Sequence, residues 1–222
     1  MFVVKEKLSG SLSTFVSVCV VVTGLSLPLK AEDVNSVTRK FLDSENSVEK
    51  STILLSLKKY RRSKPAWVRG LLREAIGDKS PVVVAGAVQQ IGDLGLREFN
   101  ADLIELYRVA EKRFKYPGYT ERVQCAIITA LGKIGNSEAR TFLADLLNND
   151  KGSFKGGLLL AAIEELNDPA FIKDLKKYKA KIKQSIRDAR EAGVDPFLYS
   201  DKTSYVRQAE EIESALSRGD GK

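Results

Sequence analysis

The sequence predicts an all-α protein: an α-solenoid of about four helix pairs, with capping helices at both ends. Three observations predict it. A unit recurs along the chain: residues 83–95 (VVAGAVQQIGDLG) match residues 123–135 (VQCAIITALGKIG) at an offset of 40, and a third copy follows at an offset of 32. Within each unit, apolar side chains recur at helical spacing and glycine or asparagine closes the run. No run alternates with a period of two for long enough to make a strand. A single helix pair cannot bury its apolar face alone, so such units must stack on one another.

Residues 1–31 read as a secretory signal. Lys5 and Lys7 give a positive start, the apolar stretch is densest over residues 15–25, Pro28 breaks it, and Ala31 is a small residue before Glu32-Asp33. Cleavage after Ala31 puts Leu29 at the −3 position, where a small residue is usual; cleavage after Ser26 puts Gly24 there. The uncharged run 8–29 is also long enough to be retained as a membrane anchor. The expectation is an exported chain, periplasmic or secreted, that meets a membrane only if this segment stays attached. Its removal leaves Cys125 as the single cysteine, which cannot form an internal bridge.

Residues 32–47 form an N-terminal capping segment, with Val34, Val37, Phe41 and Leu42 at helical spacing. The repeat array spans 48–192. Its opening helix covers 48–61 and carries Ile53, Leu54, Leu57 and Tyr60. Residues 69–81 (RGLLREAIGDKSP) complete a partial unit. The first helix of the next unit carries Val83, Ala87, Ile91 and Leu94, and that of the following one Val123, Ile127, Leu131 and Ile134. In the last copy Ile163 and Leu166 take these places. Gly95, Gly135 and Asn167 stand where a left-handed C-cap is needed. Second helices repeat the spacing with Leu103, Leu106 and Tyr107, then Leu143, Leu146 and Leu147, then Leu175 and Tyr178. Ala85, Gly86, Ala126, Ala130, Gly156, Gly157, Ala161 and Ala162 are small residues that let stacked first helices approach closely. Residues 193–222 comprise a turn at Gly193 to Tyr199, a capping helix and a mobile end. The capping helix starts at Ser200 or Asp201, with Tyr205, Val206, Ala209, Ile212 and Leu216 on one face, and folds back on the array.

Ser80-Pro81-Val82-Val83 leads into Ile91-Gly92-Asp93-Leu94-Gly95, and Val123 leads into Leu131-Gly132-Lys133-Ile134-Gly135. On these residues the chain resembles a HEAT repeat array of the short bacterial PBS-lyase-like type, over roughly residues 48–178. An arginine usually follows the early valine of that family; Val84 and Gln124 stand here instead. The resemblance implies a helical superhelix used for protein–protein interaction, and a shared fold does not by itself assign a function.

The 222 residues include 36 Lys or Arg and 29 Asp or Glu, for a net charge of +7, and no histidine. The missing histidine excludes Ser-His-Asp and Cys-His catalysis, His-ligated zinc, histidine-containing di-iron sites and proximal-histidine haem. Two cysteines cannot make a four-cysteine zinc site. Glu164-Glu165 and Glu210-Glu211 are sequence neighbours, and adjacent helical residues do not face each other as an acid–base pair must. No cofactor and no enzymatic activity are expected.

The shift of offset from 40 to 32 leaves about eight extra residues near 111–120 (EKRFKYPGYT). Here Lys112, Arg113 and Lys115 interleave with Phe114, Tyr116 and Tyr119, a mixture that suits an aromatic hot spot for a protein or stacking on bases. A second candidate is the polar stripe of the second helices: Glu74, Glu105, Asp145 and Lys177. Three of the four are acidic, which disfavours a nucleic-acid groove and favours a protein partner with a basic surface. The lysines at 173, 176, 177, 179, 181 and 183 read as a solvated face, as does the basic run 58–64 (KKYRRSK). The glycines of 151–157 read as close packing, and Cys125 as a buried, inert thiol. The expected function is an exported, non-enzymatic helical-repeat scaffold for protein–protein interaction; the alternative is a basic HEAT-like protein that binds nucleic acid or another polyanion.

Overall fold

The structure, a computed structural model, describes residues 34–219; the signal segment and the final three residues of the expected mobile end lie outside the described residues. Among the described residues there are ten α-helices and no strand. They are α1 (Val34–Asp43), α2 (Ser47–Ser56), α3 (Ala66–Ile76), α4 (Pro81–Leu94), α5 (Asn100–Arg113), α6 (Pro117–Ile134), α7 (Ser137–Asn149), α8 (Phe154–Leu166), α9 (Ile172–Glu191) and α10 (Ser200–Arg218).

The packing is serial. Helix α2 lies on α4, α4 on α6, α6 on α8, and α8 on α10. A second row follows it: α3 contacts α4, α5 contacts α6 and α7 contacts α8, while α5 meets α7 and α7 meets α9. One apolar core runs through both rows, and Val83, Ala87, Ile91 and Leu94 of α4 and Val123, Ile127, Leu131 and Ile134 of α6 are all buried in it. Burying such side chains is worth on the order of 1.5–3 kcal/mol each, which is why the expected helical faces are the faces the fold uses.

Helix ends follow local chemistry. Pro81 and Pro117 open α4 and α6, where a missing N–H costs nothing. Gly95 (φ +60°), Gly135 (φ +61°) and Asn167 (φ +49°) are left-handed, as their places in the repeat require. At Gly95 the N–H of Leu96 donates to Ile91 and that of Gly95 to Gly92, both left without partners by the end of the helix.

The structure corrects several expectations. The opening helix does not run through 48–61: α2 stops at Ser56 and a 3₁₀ turn covers Leu57–Tyr60. Past that turn, Lys64, the residue before Pro65, sits at φ +40°. Leu42 is exposed, so the α1 face is carried by Val37 and Phe41. Ser200 and Asp201 lie inside the first turn of α10, and its N-cap, Tyr199, makes no side-chain capping bond. The close helix approaches come from Gly92 and Gly132, which face Ala130 and Ala162; a β-carbon on Gly86 would have room. No helix among the described residues is long and apolar enough to cross a membrane.

Candidate functional site

The extra residues at 111–120 lengthen two helices instead of forming a loop. Helix α5 runs to Arg113, Phe114 and the next two residues turn the chain, and α6 begins at Pro117. The segment divides into an inner and an outer part. Phe114 is buried, and Thr120 ties the turn by donating from its hydroxyl to the Phe114 carbonyl at 3.2 Å. Arg113 is half-buried; its guanidinium stacks over the Phe114 ring at 5.3 Å and donates to the Asp78 carbonyl at 2.7 Å. Burial pulls the Arg113 pKa down, against the opposing field of Asp78. Phe114 and Arg113 are therefore both engaged within the fold, and Phe114 also lines an open cleft with Lys115 and Gln124. Lys112, Lys115, Tyr116 and Tyr119 face outward, and the two tyrosines meet edge to face at 5.7 Å with Tyr116 69% exposed.

The stripe of the second helices splits. Glu105 of α5 and Asp145 of α7 line one open groove of about 520 Å³, together with Ala101, Ile104, Arg108, Glu138, Thr141 and Phe142. Arg108 approaches Glu105 at 3.9 Å, a loose pair between exposed side chains and worth little. Among the described residues Glu138 and Asp145 form no ion pair, and Arg108 is the one cation lining the groove. Behind this acidic rim, Phe142 meets Tyr107 edge to face at 5.3 Å and closes the apolar floor. Glu74 on α3 and Lys177 on α9 are exposed but line neither this groove nor any other described cleft.

Other charged features are absorbed by the fold. On α9, Lys179 and Lys176 pair with Glu213, and Lys183 with Glu210 at 2.7 Å, so these cations join α9 to α10. Lys181 donates to the Asn148 carbonyl at 2.8 Å. At the glycine-rich start of α8 the carboxylate of Asp150 accepts from the Gly152 N–H at 2.8 Å, from the Ser153 hydroxyl and from the Tyr178 hydroxyl at 3.2 Å. The chain thus supplies its own anion where a helix N-terminus would attract one. Cys125 is half-buried, not fully buried, and that burial with the field of Glu121 pushes its thiol pKa up, against Lys155.

The basic run 58–64 is largely exposed, and part of it gathers at a cleft. Lys58, Arg61 and Lys64 converge with Lys133 on a cleft of about 440 Å³, which Asp93, Glu165, Gly92, Leu94 and Gly95 also line. Among the described residues no three His, Cys, Asp or Glu side chains come together as metal ligands would. No protein-family model, no curated protein and no solved structure matches the chain.

Proposed function

We propose that the chain is an exported, non-enzymatic scaffold, a HEAT-like solenoid that holds a protein partner in the groove between α5 and α7. The serial contacts of α2, α4, α6, α8 and α10 support the solenoid reading, because each repeat then touches only its neighbours. The observation that carries the binding reading is the groove itself. It sets Glu105, Glu138 and Asp145 around an apolar floor of Ile104 and Phe142. Carboxylates on a rim speed encounter with a basic surface and repel acidic ones, while an apolar floor accepts an anchoring side chain. The partner is a protein with a basic surface and a projecting apolar residue. Nucleic acid, a polyanion, is disfavoured by the same rim.

The test is capture of cell-envelope proteins by the tagged chain and by its Glu105→Lys/Asp145→Lys variant, compared by quantitative mass spectrometry. Both side chains are exposed, so helicity and melting temperature should match the parent. A protein enriched by the parent and lost from the variant supports the reading. An identical set from both sinks the groove as the contact surface.

A further inference from the structure

We propose that the cleft bounded by Lys58, Arg61, Lys64 and Lys133 binds a compact phosphate ester. The cleft is a product of local backbone geometry. A 3₁₀ turn covers Leu57–Tyr60, and the Arg61 N–H donates to the Lys58 carbonyl at 3.2 Å. Three residues per turn place side chains three apart in line, so Lys58 and Arg61 fall on one edge. The continuing turn closes through the Lys64 N–H, which donates to the Tyr60 carbonyl at 2.8 Å, and Lys64 joins them on the same cleft. A regular α-helix would have fanned these three cations across its surface.

Lys64 carries the second observation. Its φ of +40° is a conformation that glycine or asparagine takes readily and lysine does not. The strain delivers its amine to the C-terminus of α4, where it reaches the Gly95 carbonyl at 3.4 Å. Side chains held in costly backbone conformations cluster at functional sites.

Charge accounting identifies the ligand. Lys133 is already paired with Asp93 at 2.5 Å. Among the described residues Lys58 and Arg61 have no ion-pair partner, and Glu165 is the remaining carboxylate of the cleft. The α4 carbonyls at Gly95 supply only a partial negative charge. Three cations against one carboxylate leave room for a ligand with about two negative charges, which a phosphate monoester carries near neutral pH. The planar guanidinium of Arg61 can take two phosphate oxygens at once. The volume exceeds the needs of bare phosphate, and Asp93 and Glu165 can accept from hydroxyl groups, so the ester's alcohol is polyhydroxylated. This site is separate from the α5–α7 groove and does not depend on its reading.

Calorimetric titration with glucose 6-phosphate, against sodium chloride at matched ionic strength, tests the proposal. One saturable site is expected, about tenfold weaker in Arg61→Gln and in Lys64→Gly. Lys64→Gly should melt no lower than the parent, because glycine relieves the positive φ while deleting the cation. Arg61 is exposed, so its variant keeps the fold if the glycine variant does not. Absence of saturable heat, a response that follows ionic strength alone, or equal affinity in parent and both variants would overturn it. Sedimentation with vesicles bearing phosphorylated inositol headgroups separates two sources of the same chemistry. Vesicle capture displaced by glucose 6-phosphate assigns a lipid headgroup; sugar-phosphate binding without vesicle capture assigns a soluble ester.

Discussion

Gly92 of α4 lies directly against the backbone of Ala130 on α6: a β-carbon on the glycine would sit 2.8 Å from the Ala130 α-carbon. Gly132 repeats the relationship one unit on, at 2.9 Å from the α-carbon of Ala162. Both glycines occupy the same place in the repeat, so the two contacts are one device used twice. Gly92→Ala and Gly132→Ala should each destabilise by about 1–3 kcal/mol, the usual cost of forcing an extra methyl into a packed core. Urea denaturation measures this. Pairing Gly92→Ala with Ala130→Gly should not restore stability, since the clash is with the α-carbon, which remains. Full recovery in the double variant would contradict the geometry.

Asp78 makes folding sensitive to acid. Burial alone would raise its carboxyl pKa, but the hydrogen bond from the Lys50 ammonium at 2.7 Å and that from the Ser80 N–H outweigh it, and the net position is below the ordinary value of 3.8. A depressed folded-state pKa contributes stability that is complete above the unfolded value and is lost as pH falls through the folded one. Stability of the parent should therefore drop below about pH 4, and part of that drop should be missing in Asp78→Asn. Thermal melts from pH 3 to pH 7 read the difference; superimposable pH profiles would refute the role of Asp78.

Gly156 and Tyr178 should be coupled. A β-carbon at Gly156 would fall 2.6 Å from the Tyr178 hydroxyl and 2.8 Å from the Asp150 carboxylate. Tyr178→Phe removes a buried hydrogen bond and should cost about 0.5–1.5 kcal/mol. It also opens space, so Gly156→Ala should cost less in the Tyr178→Phe background than in the parent. A double-mutant cycle by chemical denaturation gives the interaction term, and strict additivity would rule the contact out.

Cys125 should alkylate slowly. Burial and Glu121 outweigh Lys155 and hold its thiol pKa above the ordinary 9.0, which leaves little thiolate at neutral pH. The rate of reaction with iodoacetamide should be lower than that of a free thiol at pH 8, with its midpoint shifted to higher pH. A midpoint below 9 would point to an activating cation that the geometry does not show.

Much of this was readable in the residues because it depends on short-range rules. Apolar spacing located the buried faces of α4, α6 and α9, and Gly95, Gly135 and Asn167 marked three left-handed helix ends. The all-helical class follows from the same spacing. What escaped was set by partners distant in sequence. Arg113 looked available in an interleaved basic and aromatic run, yet it reaches back to the carbonyl of Asp78. Glu105 and Asp145 share a groove while Glu74 and Lys177 do not, a distinction that spacing alone does not make. The basic cleft depends on the 3₁₀ turn at Leu57–Tyr60 and on the left-handed Lys64, neither of which apolar spacing marks. The signal segment is testable by the mature N-terminus, outside the described residues.

Helix α10 seals the last layer through two kinds of contact: Val206, Ala209, Ile212 and Leu216 are buried, and Glu210 and Glu213 clasp the α9 lysines. The clasp is electrostatic and partly open to solvent, so dissolved ions weaken it while leaving the apolar contacts of α10 nearly untouched. Pulled by its C-terminus, the molecule would give way here first, peeling one helix at a lower force in concentrated salt than in dilute buffer, with the remaining layers still shut.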